Sequence, residues 1–127
     1  MAFTKSDLRH NILSKIEAPH IGPPRREAVP DAEHLQTQTL QTAIDRLSNA
    51  GGGILTFPAG IYHTGALHLK SGVELFLASP DTCIRFIPEH PEQNYPLVYS
   101  HWEASPCYNY SSLLYACDSH DIAVTGY

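Results

Sequence analysis

Long hydrophobic runs are missing from this chain. No apolar stretch among its 127 residues approaches the roughly 18 residues of a membrane span, so no membrane-crossing helix and no membrane partner are expected. Cations are also scarce. Lys and Arg number 8 against 13 Asp and Glu, for a net charge of −5. Nucleic acid and anionic surfaces are held by clustered Lys and Arg, so neither is expected as a partner. Only Lys70 and Arg85 lie between Gly51 and Tyr127, which equips that stretch poorly for a polyanion. The 3 cysteines, Cys83, Cys107 and Cys117, are odd in number and lack Cys-x-x-Cys spacing. They predict reduced thiols rather than a disulfide framework. None of the 8 histidines sits at a ligand spacing to another His or Cys, so no metal is expected, and no cofactor either. The 8 Gly and 10 Pro are too few for a low-complexity chain. Met1 to Lys15 carries Lys5, Asp7, Arg9, His10 and Lys15 with no apolar core of a secretion signal, which predicts a cytoplasmic location.

What is present falls into zones. Residues 1–35 read as a polar leader and linker. Within them, Asp7 to Ile16 predicts a short helix with Leu8, Ile12, Leu13 and Ile16 on one stripe. Pro19 to Arg26 predicts an extended linker, because Pro23 and Pro24 fix φ and lack N–H donors. Residues 36–127 read as the structured part. It opens with a helix, since Leu40, Ala43, Ile44 and Leu47 fall at i, i+3, i+4 and i+7. Thr37 or Thr39 is placed to cap its start, and the triplet Gly51-Gly52-Gly53 to stop it.

Beyond the triplet the pattern is β. Strands are expected at Ile54–Phe57, Ile61–Thr64, Ala66–Leu69, Val73–Leu77 and Cys83–Ile87, with breaks too short for crossover helices. No Asn-Gly or Asp-Gly hairpin turn separates them, so a coil that turns corners fits better. Leu67 to Leu75 aligns with Leu114 to Val124 as two copies of strand, polar corner, strand, the second with a longer corner. Between the copies lies an insertion from Pro88 to Ser112, rich in Tyr and Pro and holding the single Trp.

The run from Ala50 to Tyr62, followed by Thr64-Gly65-Ala66-Leu67-His68-Leu69-Lys70-Ser71-Gly72-Val73-Glu74-Leu75, resembles the N-terminal portion of glycoside hydrolase family 28, the polygalacturonases. Leu113 to Ala116, Ile122 to Gly126, Trp102-Glu103 and Cys107 to Tyr110 also look like that family. The resemblance implies an all-β solenoid, a right-handed parallel β-helix with a capping α-helix. It implies a pectin-degrading hydrolase acting on α-linked galacturonosyl or related bonds, with a pectin-derived polysaccharide or oligosaccharide as partner. Three departures stand out. Pro30 to His34 replaces the family's Gly-Asp-Gly-x-Thr stretch, and His101 and Ala104 replace an Arg and a Gly around Trp102-Glu103. The sequence stops at Gly126-Tyr127, before the family's catalytic Asn-Thr-Asp, Asp-Asp, Gly-His-Gly and Arg-Ile-Lys motifs.

Inverting glycoside hydrolysis needs one carboxylic acid and one carboxylate roughly 6.5–9.5 Å apart. No such pair can be argued here, so no catalytic residue is assigned and the chain alone is expected to be inactive. Asp118 and Asp121, with His120 between them, are the closest candidates, but they sit at a predicted corner, where Asp serves turn formation. Trp102, Glu103 and Tyr108 are the candidate substrate-binding residues, because sugars stack on aromatic rings and hydrogen-bond to carboxylates. The competing reading has these aromatics plugging the insertion onto the body. A truncated β-helix would leave its last layer uncovered, which predicts self-association through that face. The alternative reading of the whole is a non-enzymatic β-solenoid that binds carbohydrate or a partner protein.

Overall fold

The computed structural model describes residues 4–15 and 17–126. The leader begins with α1 (Lys5–Leu13), opened by a capping box in which Thr4 Oγ1 accepts from the Asp7 N–H and Asp7 Oδ2 accepts from the Thr4 N–H. Leu8 and Ile12 on its stripe stay exposed, while the Leu13 side chain and Ile16 lie outside the described residues.

The second helix, α2 (Thr37–Asn49), buries Leu40, Ile44 and Leu47 and packs Ala43 against the same core. Neither Thr37 nor Thr39 caps it. The residue at its start is Gln36, which makes no side-chain capping bond. The Gln36 amide instead donates to the Val29 carbonyl (2.6 Å) and accepts from the Asp31 N–H (3.1 Å), pinning the leader to the helix. Thr37 Oγ1 accepts from the Gly65 N–H at 2.7 Å. The C-terminal end follows the expected chemistry. Gly52 N–H returns to the Leu47 carbonyl (2.7 Å) and Gly51 N–H to that of Ser48 (3.1 Å). Both glycines have positive φ, the Schellman arrangement that a side chain would oppose.

The remainder is mostly strand. After β1 (Arg25–Glu27) come β2 (Gly53–Phe57), β3 (Gly60–Thr64), β4 (Leu67–His68), β5 (Val73–Leu77) and β6 (Thr82–Phe86). The insertion carries α3 (Pro91–Asn94), β7 (Leu97–Trp102) and β8 (Ser105–Tyr110), and β9 (Leu114–Tyr115) and β10 (Ala123–Gly126) follow. Three sheets are parallel: β1-β2-β5-β10, β3-β6 and β4-β9. The chain therefore visits the three sheets in one order, then repeats the order a layer further on. The registers Leu67↔Leu114 and Leu75↔Val124 are the alignment of the two sequence copies.

Three features depart from expectation. The stretch read as a linker ends in a strand: Arg25, Arg26 and Glu27 pair with Ile54, Leu55 and Thr56. Its prolines lie before the paired residues, so no ladder donor is lost. The insertion forms an antiparallel hairpin of β7 and β8. Finally, Leu67, Val73 and Leu75 are buried as anticipated, whereas Leu69 and Ile122 are half-buried and Val124 is 50% exposed. Val124 shares the inward column of Leu75, but among the described residues no strand lies on the far side of β10.

The core is the α2 stripe set on Leu55, Phe57, Tyr62, Leu67, Val73 and Leu75. Tyr62 is fully buried because its hydroxyl donates to the Pro58 carbonyl (2.8 Å) and its ring meets Phe57 edge-on at 5.1 Å. At the corner leading into the four-stranded sheet, glycines stack. The Gly72 carbonyl accepts from Gly22 and Gly53 N–H, at 3.3 and 3.0 Å. A Cβ on Gly52 would stand 2.4 Å from that carbonyl oxygen, closer than any real contact.

Two substitutions test this packing. Leu75→Ala, at a fully buried site, is expected to cost about 2–5 kcal/mol in urea unfolding. Gly52→Ala is expected to destabilise as well, through its positive φ and the clash with Gly72. A Leu75→Ala loss under about 1 kcal/mol would contradict the buried column.

Candidate functional site

The hairpin exposes Tyr99, Trp102, Tyr108 and Tyr110. Trp102 pairs with Ser105 across Glu103-Ala104, whose φ values of 46° and 65° define a two-residue turn of the primed type. Glu103 and Ala104 here occupy the left-handed region that favours Gly or Asn, which is why the Asn-Gly rule did not find the turn. Strand alternation then sorts the side chains. Leu97, Tyr99 and His101 face the same way as Tyr110, Tyr108 and Pro106, their cross-strand partners. Val98, Ser100 and Trp102 face the other way with Asn109, Cys107 and Ser105.

The three residues singled out from sequence are thus divided. Tyr108 is 74% exposed on one face, Trp102 is 67% exposed on the other, and Glu103 sits in the turn between. The aromatics do not plug the insertion onto the body. That anchor is Tyr95, buried with its hydroxyl donating to the Ile87 carbonyl at 2.6 Å. The structure groups Tyr108 instead with Tyr99, whose ring lies edge-on to it at 6.0 Å and to His101 at 5.4 Å. Tyr115 ties this face to the body by donating to the Tyr99 carbonyl at 2.9 Å.

Asp118 and Asp121 occupy the corner, both left-handed, with φ of 50° and 56°. Short polar side chains tolerate that region. Asp121 Oδ1 accepts from the His20 N–H at 2.8 Å, and Oδ2 lies 2.7 Å from His120 Nδ1. The His20 bond first, then the His120 bond, hold its carboxyl below the usual aspartate range. A group held ionised in this way is unsuited to donate a proton, and its geometry is that of a corner lock joining the leader to the second layer.

A cleft of about 360 Å³ opens between α2, the β4 segment and α3, lined by Thr37, Gln41, Asp45, His68, Lys70 and Asn94 among others. Gln41 builds it. Its amide donates to the His68 carbonyl (2.9 Å) and accepts from the His68 N–H (2.8 Å), imitating one step of a strand ladder. His68 is outward-facing by alternation, and its ring lies 5.2 Å from that of Tyr115, its partner in β9. Burial first, then the nearby Lys70 cation, push the imidazole below its ordinary value against a weaker pull from Asp45, so it is uncharged at neutral pH. Sequence reasoning missed this cleft, since Gln41, Asp45 and His68 form no motif and meet only across the helix–sheet contact. Among the described residues, no group of three His, Cys, Asp or Glu converges to hold a metal ion.

The architecture, parallel sheets visited in a repeating order by the chain, is shared with solved structures of glycoside-cleaving proteins. The similarity is specifically with the hyperthermoactive exopolygalacturonase from Thermotoga maritima, with a TM-score of 0.79 and 35% identity over 95% of this chain and 28% of that one. A candidate glycosyl hydrolase from Parabacteroides merdae superposes with a TM-score of 0.65 and 25% identity over 80% of this chain and 43% of that one. The chain thus spans less than half the length of either protein. No protein family as such matches it, and no curated protein does. These similarities support a fold like that of the exopolygalacturonase and the glycosyl hydrolase.

The corner lock has a pH signature. Asp121 has a lowered pKa, so its bond to His20 contributes above the ordinary aspartate value of about 3.9 and is lost as pH falls through the lower folded value. The His20 amide resonance is expected to titrate with a midpoint below that value. A midpoint at or above it would show that the carboxylate does not hold the leader.

Proposed function

We propose that this chain is the cap-end portion of a pectin-degrading hydrolase of glycoside hydrolase family 28, made of the capping helix and first layers of a right-handed parallel β-helix. The observation that carries the reading is the 35% identity with an exopolygalacturonase over 95% of the chain at a TM-score of 0.79. The ordered family-like segments from Ala50 to Gly126 agree with it.

In this reading α2 and the first layer form a rigid base, and the hairpin supplies a wall of the saccharide cleft. Tyr99 and Tyr108 lie on one side with their rings edge-on to each other, and Trp102 and Glu103 lie at the tip. Stacking on a sugar ring needs flat apolar faces with nearby polar groups, and exposed tyrosines offer both. The cleavage step itself requires two carboxyl groups held roughly 6.5–9.5 Å apart. Asp121 is committed to the corner and Glu103 to a hairpin turn, so neither is assigned to the reacting pair.

The second reading, a carbohydrate-binding module without catalysis, is favoured by the exposed tyrosine face. The two share the hairpin and differ in turnover once the chain is extended. Purified chain is expected to release no reducing sugar from polygalacturonate, and Asp118→Asn and Glu103→Gln are expected to change nothing catalytic. Tyr108→Ala is expected to weaken oligogalacturonate binding by about fivefold, the loss of one stacked ring at roughly 1 kcal/mol. Turnover abolished by either carboxylate substitution would overturn the reading that neither residue takes part in cleavage.

A further inference from the structure

The cleft beside α2 is separate from the hairpin face and has no part in the reading above. Its polar groups are held by bonds that leave specific atoms unused. Gln41 donates to Asp45 Oδ1 at 3.0 Å. Asn94 Nδ2 donates to the Glu89 carbonyl at 2.8 Å. Among the described residues, nothing engages Asp45 Oδ2, Asn94 Oδ1, the Gln93 amide or the Lys70 ammonium, and no carboxylate lies within ion-pair distance of Lys70. Two acceptors, an amide and a cation therefore face one open volume of about 360 Å³, in the size range of a small-molecule site. Pro96 and Ala66 supply an apolar floor.

The charges decide the ligand class. Asp45 and Lys70 balance, His68 is uncharged at neutral pH, and the chain carries −5 overall. A carboxylate-bearing ligand entering here would meet Asp45 at close range, with one exposed lysine to offset it. A neutral polyhydroxyl ring meets no such cost. Its hydroxyls can donate to Asp45 and Asn94 and accept from Lys70 and Gln93, using both roles of an O–H group.

We propose that the cleft bounded by Asp45, His68, Lys70, Gln93 and Asn94 is a binding site for one neutral sugar unit, distinct from the aromatic hairpin. It would hold an uncharged branch or neighbouring chain while a uronate chain lies elsewhere. Its location against α2 places it on the rigid end of the fold, where the Gln41 clamp and the Asn94 turn fix the acceptors before a ligand arrives. The choice of a sugar rests on the hydrolase reading, while the site itself uses no carboxylate or aromatic of the hairpin.

The test is titration of the isotope-labelled full chain with D-galactose, D-glucose and L-arabinose, with D-galacturonate as the charged counterpart. Side-chain amide resonances of Gln93 and Asn94 are followed alongside backbone amides of Lys70 and the hairpin. At least one neutral sugar is expected to shift the Gln93, Asn94 and Lys70 signals, leaving those of Tyr99 and Tyr108 in place. D-galacturonate is expected to bind the cleft more weakly than that sugar. Lys70→Met, at an exposed position, is expected to weaken binding about tenfold, the usual loss of a hydrogen bond to a charged group. Asp45→Ala is expected to do the same, and Tyr108→Ala to leave it unchanged. Cleft signals unmoved by every neutral sugar, or tighter binding of galacturonate there, would overturn the proposal. A Tyr108→Ala effect equal to that of Lys70→Met would show a single shared site and overturn it as well.

Discussion

The contact between the α2 stripe and the first layer of strands is the constraint on which the other features rest. Leu40, Ile44 and Leu47 lie on the same cluster as Leu55, Phe57, Tyr62 and Leu67. A parallel sheet exposes both faces and both edges, and its short strands hold together only if one side is dry. The helix supplies that dryness at the end where β1 and β2 begin. It also fixes the first corner, because the turn that stops the helix feeds directly into β2.

From that corner the order propagates by close approach. Gly52 packs under the Gly72 carbonyl, and Gly72 N–H reaches the carbonyls of His120 and Asp121 at 3.1 and 2.9 Å. Successive layers are thus joined at the corner as well as along the strands. Asp121 extends the same joint back to the leader through His20. One corner, built largely of residues without side chains, holds the leader, the first layer and the second in register.

Much of this was legible in the sequence. The i, i+3, i+4, i+7 spacing gave α2, and the Gly triplet gave its end. Strand positions agree within a residue or two, and the sequence alignment of Leu67 with Leu114 is the layer register of the structure. The rest was hidden for physical reasons. Arg25 to Glu27 has no apolar alternation, since all three residues are exposed, and only its backbone joins the sheet. The helix start was misjudged because Gln36, a poor capping residue, is recruited by the leader carbonyl of Val29. The insertion concealed its hairpin behind a turn of two non-glycine residues, Glu103 and Ala104.

The candidate sites show the same division. Trp102, Glu103 and Tyr108 looked like one wall because they are near in sequence, yet strand alternation sends Trp102 and Tyr108 to opposite faces. The cleft at His68 was invisible because it joins a helix and a strand 27 positions apart. Parallel, in-register layering is the claim beneath both, and long-range amide contacts in solution NMR test it most directly. The account predicts contacts in the order Leu55 to Leu75 to Val124 and from Leu67 to Leu114, all in parallel register. An antiparallel pattern joining β4 to β5 would contradict it.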